Sequence, residues 1–182
     1  PLPYGTVTAL CESPVTAGLL FAGTDDGNLW VSDPGTQNWR RIGQVLPDRE
    51  VSSLCPSRFS AGKIYVTLSG LFNDDRTSYI YMSPNLGADW MSISGNLQDE
   101  PVFVLTEYPA APGILICGTA RDLYLSRDDG GSWQSIRGDI PAVPFYDLAV
   151  DDTGSHVLVG THGRGIYRLE NARDFILRAD GK

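Results

Sequence analysis

Apolar residues occur along this chain in short runs that are separated by polar and turn-forming residues. Near the start of the chain, such runs cover residues 7–12, 19–24, 28–32 and 39–42. Each run either alternates apolar and polar positions or is largely apolar, and Gly, Pro, Asn or Asp stands at its ends. This pattern is typical of short β-strands joined by tight turns. The segment therefore predicts four strands.

The same pattern recurs along the rest of the chain. The second and third sets of predicted strands cover residues 51–55, 63–68, 79–83 and 90–93, then 102–107, 114–119, 123–126 and 133–136. The fourth set covers residues 145–150, 156–161 and 165–169. Its fourth strand is left open, because residues 174–178 can supply a strand or can lead elsewhere. No segment has the pattern of a helix of useful length.

Two sequence markers recur with these strands. A serine is followed seven residues later by a tryptophan at three places, namely Ser32 and Trp39, Ser83 and Trp90, and Ser126 and Trp133. A leucine recurs at spacings of 44, 51 and 43 residues, as Leu10, Leu54, Leu105 and Leu148. Such a period, made of short strands, is typical of a β-propeller. We expect one all-β domain of four four-stranded antiparallel blades, at about residues 5–46, 47–97, 98–140 and 141–178.

The second repeat is longer than the others because a longer loop, residues 69–78, joins its second and third strands. Insertions in repeat proteins collect on the face that binds other molecules. This loop contains Leu71 and Phe72 beside Asp74, Asp75 and Arg76. We expect both apolar side chains to be exposed and the loop to be the leading contact element.

The segment SRDDGGSW, residues 126–133, fits the pattern Ser-x-Asp-x-Gly-x-x-Trp, known as an Asp-box. Asp128 can accept hydrogen bonds from the backbone N–H groups that follow it, Gly130 permits a positive φ, and Trp133 can bury its ring. Asn85 replaces the aspartate in the second repeat, and Pro34 replaces it in a degraded first copy. Three copies in one chain favour a structural lock on the turn over a catalytic or calcium-binding group.

Composition and charge make two classes of binding partner poor candidates. The 182 residues carry a net charge of -8, and their basic residues form no cluster. Nucleic acids and anionic membranes are therefore poor candidate partners. No apolar run approaches the roughly 18 residues needed to span a bilayer. We expect the three cysteines, Cys11, Cys55 and Cys117, to be free and buried, and we expect neither a cofactor nor a bound metal.

The chain resembles the BNR/Asp-box superfamily and, within it, the large sortilin-like propeller proteins of bacteria. The segments that carry the resemblance are GTDDGNLWVS (23–32), VSSLCPSRF (51–59), NDDRTSYIY (73–81), GTARDLYLSRDDGGSWQSI (118–136), VPFYDLAV (143–150) and GTHGRGIYRL (160–169). The resemblance implies further blades upstream, a binding role, and a secreted or cell-envelope location, with the cytoplasm left open. The Asp-box itself carries no catalytic group.

In a propeller, the loops between second and third strands and the connections between blades share one face, here called the loop face. The candidate ligand-binding residues on it are Phe72, Asp74, Asp75, Arg76, Arg121, Asp122, His162 and Arg164. Three arginines from three such loops can clamp a carboxylate, because a guanidinium matches its geometry. Local loop contacts are the other interpretation of the arginines. The lone His162 is a candidate base or metal ligand, or a hydrogen-bonding fastener of the last blade.

These observations favour a non-catalytic scaffold that binds protein, peptide or glycan through the loop face. The alternative is a BNR-type glycoside hydrolase, since such enzymes need two carboxylates around one bond. Its candidate acids are Asp25, Asp26, Asp74 and Asp75, although aspartates are also ordinary turn formers. Four blades can close a ring by themselves. Otherwise the open edges at residues 7–12 and in the fourth blade need a second copy of the chain, or blades missing upstream, to cover them.

Overall fold

The computed structural model describes residues 5–36, 38–97 and 99–178, which form four antiparallel sheets. Each sheet is one blade, and its strands pair in chain order, the first three sheets having four strands and the fourth having three. The strands of the first two blades are β1 (Val7–Glu12), β2 (Leu20–Thr24), β3 (Leu29–Ser32), β4 (Trp39–Ile42), β5 (Glu50–Pro56), β6 (Ile64–Ser69), β7 (Tyr79–Ser83) and β8 (Met91–Ser92). Those of the last two are β9 (Val102–Glu107), β10 (Leu115–Thr119), β11 (Leu123–Ser126), β12 (Gln134–Ser135), β13 (Phe145–Val150), β14 (Val157–Thr161) and β15 (Gly165–Leu169). The prediction of an all-β propeller with four blades is confirmed.

The end of the chain forms a helix and not a fourth strand of the last blade. Helix α1 (Ala172–Leu177) lies where residues 174–178 were a candidate strand, so that candidate is wrong. Ile176 is buried between the third and fourth blades, and the Arg127 Nε donates a hydrogen bond to its carbonyl oxygen at 2.9 Å. The helix therefore fills the outer part of this inter-blade layer. Within the described ranges, no helix is long and apolar enough to cross a membrane.

The core consists of three apolar layers, each between two successive blades. Alternation along a strand sends successive side chains to opposite faces of the sheet, so the inner blades contribute to two layers each. In β6, for example, Val66 packs toward the first blade while Tyr65 packs toward the third. The marker leucines face the preceding blade, and Leu54 and Leu105 lie in the first and second layers. The repeat read from the sequence is thus the repeat of the inter-blade layers.

Blades approach most closely where the first strand of one blade crosses the second strand of the blade before it. A Cβ atom placed on Gly23 would overlap the side chain of Val51. A Cβ atom on Gly118 would likewise lie 2.8 Å from the Cβ of Phe145. Val51 and Phe145 are both fully buried. Glycine is required at these two positions because it leaves the space that the next blade occupies.

The turns between third and fourth strands of the second and third blades are held by hydrogen bonds to the side chain that follows two residues after the serine. In the third blade, the Asp128 carboxylate accepts hydrogen bonds from the Ser132 backbone N–H and the Ser126 hydroxyl, both at 2.8 Å. Gly130 has a φ of 88°. The Asn85 side-chain oxygen takes the place of the aspartate in the second blade and accepts the Asp89 backbone N–H at 2.8 Å. These residues therefore act within the turn.

The same turns also lock each blade onto the one before it. Gly130 lies against Ile93 of the second blade, and Gly87 lies against Ile42 of the first. The indole N–H of Trp133 donates to the Ile93 carbonyl oxygen at 2.9 Å, and its ring is buried. Trp39, in the first blade, is 42% exposed. Trp133 thus buries its ring as predicted, whereas Trp90, in the second blade, is only partly buried.

A polar clasp strengthens the layer between the second and third blades. The carboxylate of Asp129 pairs with the Lys63 ammonium at 2.5 Å and accepts a hydrogen bond from the Tyr65 hydroxyl at 2.6 Å. Burial, followed by these carboxylate contacts, raises the pKa of Tyr65. The second aspartate of the box thus joins two blades.

All three cysteines are free. Cys117 is fully buried. Burial raises the pKa of Cys11 and that of Cys55 to about 12. Cys11 and Cys55 are half-buried, so the expectation that all three cysteines are buried holds fully only for Cys117. A raised pKa disfavours the thiolate, which is the reactive form of cysteine.

The marker leucines allow a matched test of the inter-blade layers. Leu105 is buried against the second blade, whereas its repeat equivalent Leu10 is 67% exposed. We expect Leu105→Ala to lower the free energy of unfolding by about 2–5 kcal/mol, the usual cost of a cavity. We expect Leu10→Ala to change it by less than about 0.5 kcal/mol. Urea unfolding followed by circular dichroism measures both, and equal losses would contradict the assignment of the layers.

Candidate functional site

The loop face is shaped by an irregularity that recurs in the first strand of every blade. The pairing register between first and second strands shifts by one residue at the same place in all four sheets. Such a β-bulge leaves one residue unpaired and re-aims its side chain. The four bulged residues are Thr8, Ser52, Phe103 and Tyr146.

The bulged residues bridge neighbouring blades. The Thr8 hydroxyl donates to the Val51 carbonyl oxygen at 2.8 Å, and the Ser52 hydroxyl donates to the Val102 carbonyl oxygen at the same distance. In the last two blades rings replace the hydroxyls, and the centroids of Phe103 and Tyr146 are 4.5 Å apart. The four side chains thus form a row across the blades at one end of their first strands.

A groove of about 220 Å³ opens at this row, and we call it the axial groove. Its lining residues are Thr8, Glu50, Ser52, Ser69, Leu71, Phe72, Phe103 and Tyr146. The lining is polar on the side of the first blade and aromatic on the side of the last two blades. Its volume suits a single side chain or one small ring.

The inserted loop supplies the exposed wall of this groove. Residues Leu71–Asn73 form one turn of 3-10 helix, and Phe72 is 83% exposed. The expectation that Leu71 and Phe72 are exposed is therefore confirmed. Because an exposed aromatic side chain gains nothing for folding, its position here makes it a candidate contact residue.

Asp75 holds this loop in place. Its carboxylate accepts hydrogen bonds from the Thr77 backbone N–H at 3.0 Å and from the Tyr79 hydroxyl at 2.9 Å. It also pairs with the Arg49 guanidinium at 2.9 Å. These contacts, those to Thr77 foremost, hold the pKa of Asp75 below its usual range. The Asp75 carboxylate therefore stabilises the loop that carries Phe72.

A second groove, of about 480 Å³, lies beside the first, between the second and third blades, and we call it the side groove. Its lining residues are Leu71, Arg76, Asp99, Glu100, Pro101, Ala120 and Arg121. Leu71 lines both grooves, so they adjoin. Within the described part of the chain, neither Arg76 nor Arg121 has a side-chain hydrogen bond or ion pair. The sequence placed these two arginines on one face, and the structure brings them to one groove.

The other candidate carboxylates lie outside both grooves and have local roles. Asp25 accepts the Thr6 backbone N–H at 2.7 Å, and Asp26 accepts the Thr24 hydroxyl. The Thr24 contact is the main cause that lowers the pKa of Asp26. Asp74 sits at the end of the 3-10 turn with a φ of 53°. Among the described residues, no three or more His, Cys, Asp or Glu are grouped so that they could hold a metal ion.

The remaining candidates on the loop face are dispersed. Asp122 accepts the Leu123 backbone N–H at 2.7 Å and the Ser135 hydroxyl at 2.9 Å. The His162 ring meets the edge of Tyr146, with centroids 5.8 Å apart, and so reaches the axial groove indirectly. Arg164 lines neither groove.

Sequence reasoning missed the four bulged residues of the axial groove, Thr8, Ser52, Phe103 and Tyr146, whereas it expected Glu50 on the loop face as part of a connection between blades. The position of Phe103 and Tyr146, second in the first strand of their repeats, is the signal that could have found them. Glu50 is half-buried, and burial followed by the charge of Asp25 raises its pKa. Both causes favour the neutral form of this carboxyl group.

Comparison with known proteins identifies the fold and not the family. No family model and no curated protein matches the chain. The GH74 enzyme of Niastella koreensis has a similar structure, with a TM-score of 0.74 and 18% identity over 92% of this chain. The GH74 xyloglucanase of Xanthomonas campestris gives 0.72 and 18% over 92%. Of these two enzymes the chain spans 28% and 29%, respectively.

A second kind of structure is equally similar. YCF48 from Cyanidioschyzon merolae has a TM-score of 0.72 and 13% identity over 91% of this chain, which spans 51% of it. YCF48 has also been solved bound to a D1 peptide, with a TM-score of 0.66 to this chain. At these identities, the GH74 and YCF48 likenesses show a β-propeller fold and no more.

The role of Asp75 in holding the inserted loop can be tested by substitution. We expect Asp75→Asn to speed amide hydrogen exchange in residues 70–77, because the charge held by Thr77, Tyr79 and Arg49 is removed. The lowered pKa of Asp75 means that its contribution is complete above the ordinary carboxyl pKa of about 4 and is lost as the pH falls further. Exchange measured by mass spectrometry, from pH 6 downward, checks both effects.

The neighbouring variant Asp74→Asn is the control, since the Asp74 carboxylate has no hydrogen bond or ion pair with the described residues. Equal exchange in the two variants would show that Asp75 does not hold the loop.

Proposed function

We propose that this chain is a non-catalytic scaffold that binds a peptide segment of a partner protein across the loop face. The observation that carries the proposal is the adjoining pair of grooves, joined at Leu71 and bordered by the exposed ring of Phe72. Binding surfaces commonly combine an apolar anchor pocket with a polar rim. The axial groove supplies the first element and the side groove the second.

The axial groove favours an apolar side chain of the ligand. The rings of Phe72, Phe103 and Tyr146 line it, and stacked or edge-on contacts with such rings add to the burial of apolar area. Its volume of about 220 Å³ limits the occupant to roughly one side chain. A peptide with an aromatic or long aliphatic residue meets this requirement.

The side groove favours a carboxylate next to that anchor. Arg76 and Arg121 have no partner among the described residues, and two guanidinium groups can share one carboxylate through charge-assisted hydrogen bonds. Glu100, which also lines this groove, already accepts the Thr119 hydroxyl at 2.6 Å. Within the described residues, the side groove therefore offers two guanidinium groups without a partner, beside the carboxylate of Asp99.

The state of the carboxylates supports binding over catalysis. Asp26 and Asp75 have lowered pKa values and are held by their own loops. A general acid needs a raised pKa near neutral pH. The likeness to YCF48, which has been solved with a bound peptide, is compatible with the proposal.

A phage-displayed library of random peptides, selected against the chain, tests the proposal. We expect enriched peptides to combine an aromatic residue with an acidic one. We expect Arg76→Ala with Arg121→Ala to weaken their binding about tenfold or more, since a charge-assisted hydrogen bond contributes about 1.5–3 kcal/mol. Phe72→Ala should weaken it as well. Fluorescence anisotropy of the labelled peptides gives the affinities.

Arg164→Ala is the matched control, because Arg164 is an exposed arginine of the loop between β14 and β15 that lines neither groove. Its affinity should equal that of the unaltered chain. The proposal fails if no peptide is enriched, or if the enriched peptides bind a variant that combines Phe72→Ala, Arg76→Ala and Arg121→Ala as tightly as the unaltered chain.

A glycoside hydrolase is the second candidate, and one observation favours it. Glu50 lines the axial groove, and its pKa is raised by burial and by Asp25. A raised pKa suits a general acid, and Asp25 would be the second carboxylate. Asp25, Asp26, Asp74 and Asp75 remain candidate acids from the sequence.

Release of reducing sugar from xyloglucan and hydrolysis of nitrophenyl glycosides test this second candidate. If the chain is such an enzyme, Glu50→Gln should lower the rate by a factor of about 100 or more, the usual effect of losing a general acid. Glu100→Gln, a carboxyl of the side groove only, serves as the control. Absence of hydrolysis by the unaltered chain would remove this candidate.

A further inference from the structure

The two faces of each blade have different neighbours. We call the face toward the blade before it in the chain the upstream face, and the face toward the blade after it the downstream face. A residue at the start of the first strand, directly before the bulged one, lies against the preceding blade in the last three blades, where Val51, Val102 and Phe145 are fully buried. Val7, their repeat equivalent in the first blade, is 58% exposed, and Leu10 is exposed too. The upstream face of the first blade therefore lacks its cover.

The Asp-box turn gives independent evidence for the same gap. A Cβ atom on Gly87 or Gly130 would lie 2.6 or 2.7 Å from the Cβ of an isoleucine of the preceding blade. Gly35 is the glycine of the corresponding turn in the first blade, one residue nearer to its serine, and a Cβ atom on it would have nothing within 4 Å. No residue of the described chain therefore packs on the glycine of this turn.

The uncovered face has the composition of a buried layer. It forms an open depression of about 500 Å³ lined by Val7, Leu10, Ala22, Thr24, Trp30 and Trp39. Five of these six residues are apolar, and contiguous apolar surface of this kind marks an interface. Trp30 stands where the inner blades place Tyr81 and Tyr124, both of which pack into inter-blade layers.

The downstream face of the fourth blade does not complement the upstream face of the first blade. Leu158 and Ile166 are exposed on the downstream face of the fourth blade, but Asp147 and Arg168 lie on the same face. At the position of Asp147 the other blades have alanine, serine and valine, and at that of Arg168 they have valine, methionine and leucine. Docking of this face on the first blade of a second copy would bury both charges, which is costly.

The path of the chain into β1 points to the source of the missing cover. The Asp25 backbone N–H donates to the Thr6 carbonyl oxygen at 2.9 Å. In the third and fourth blades, the carbonyl oxygens of Pro101 and Pro144 accept the equivalent hydrogen bonds, at 3.0 and 2.9 Å. Both prolines end connections that arrive from a preceding blade. Thr6 therefore lies on the same path.

We propose that the upstream face of the first blade is one half of a blade–blade interface, and that a further blade of this repeat, carried ahead of β1 in the same polypeptide, covers it. The repeat specifies the chemistry of that blade. Its second strand presents a large apolar residue, as Phe21, Tyr65 and Ile116 do. Its fourth strand ends in an isoleucine that lies on Gly35, as Ile42 and Ile93 lie on the other box glycines.

A tandem variant tests the proposal. A copy of residues 99–144 is joined directly to Val7, so that the copied proline takes the place of Thr6. We expect amide exchange in residues 7–12 and 39–42 to slow about tenfold or more relative to the unaltered chain, and the Tm to rise. Exchange in the added strands reports whether the added blade itself is folded.

Two controls separate docking from mere fusion. The same tandem with Ile116→Asp and Leu123→Asp in the added copy alters only its downstream face, and should lose the protection of residues 7–12. Leu10→Asp should leave the Tm of the unaltered chain almost unchanged, because Leu10 is exposed, and should abolish the protection in the tandem.

Three results would overturn the proposal. The first is a folded added blade that leaves exchange in residues 7–12 unchanged. The second is an added blade whose own strands exchange freely, since the first blade then gives it no support. The third is a dimer of the unaltered chain by light scattering, with protection of residues 7–12 that rises with concentration. That result would make a second copy the occupant of this face.

Discussion

The structure depends on how closely the first strand of one blade can approach the second strand of the blade before it. Gly23 and Gly118 have no side chain, and Val51 and Phe145 occupy the space that a Cβ atom would need. Because these contacts lie where two sheets cross, they limit the distance between the first and second blades and between the third and fourth. The apolar layers and the locking turns then stabilise blades whose spacing these contacts already limit.

The same approach connects the packing of the blades with the shape of the loop face. The bulged residues Ser52 and Tyr146 directly follow the contact residues Val51 and Phe145. The bulge re-aims the side chain of the bulged residue. Thr8 and Ser52 use this freedom to bond the next blade, whereas Phe103 and Tyr146 contact each other. The axial groove is therefore a consequence of the repeat, and its chemistry varies from blade to blade without a change in packing.

The sequence was sufficient for the fold because its markers are residues of the inter-blade layers. Leu105 and Trp133 recur since every blade must present the same upstream face, and a repeat of this kind is visible in a single sequence. The axial groove was not visible, because a bulge shifts the register by one residue and leaves no compositional trace. Helix α1 was missed for a similar reason, since six residues are too few to establish a helical period.

The charges of the loop face show why net charge is a poor guide to what such a surface binds. The chain carries a net charge of -8, yet the carboxylates of Asp75 and Asp26 accept hydrogen bonds from residues of their own loops. Arg76 and Arg121 make no such contacts in the described chain. A ligand meets the groups that the fold has left unsatisfied and not the sum over the sequence. An acidic protein can therefore present a groove with two unpaired guanidinium groups that can bind an anion, although its net charge slows association with that anion.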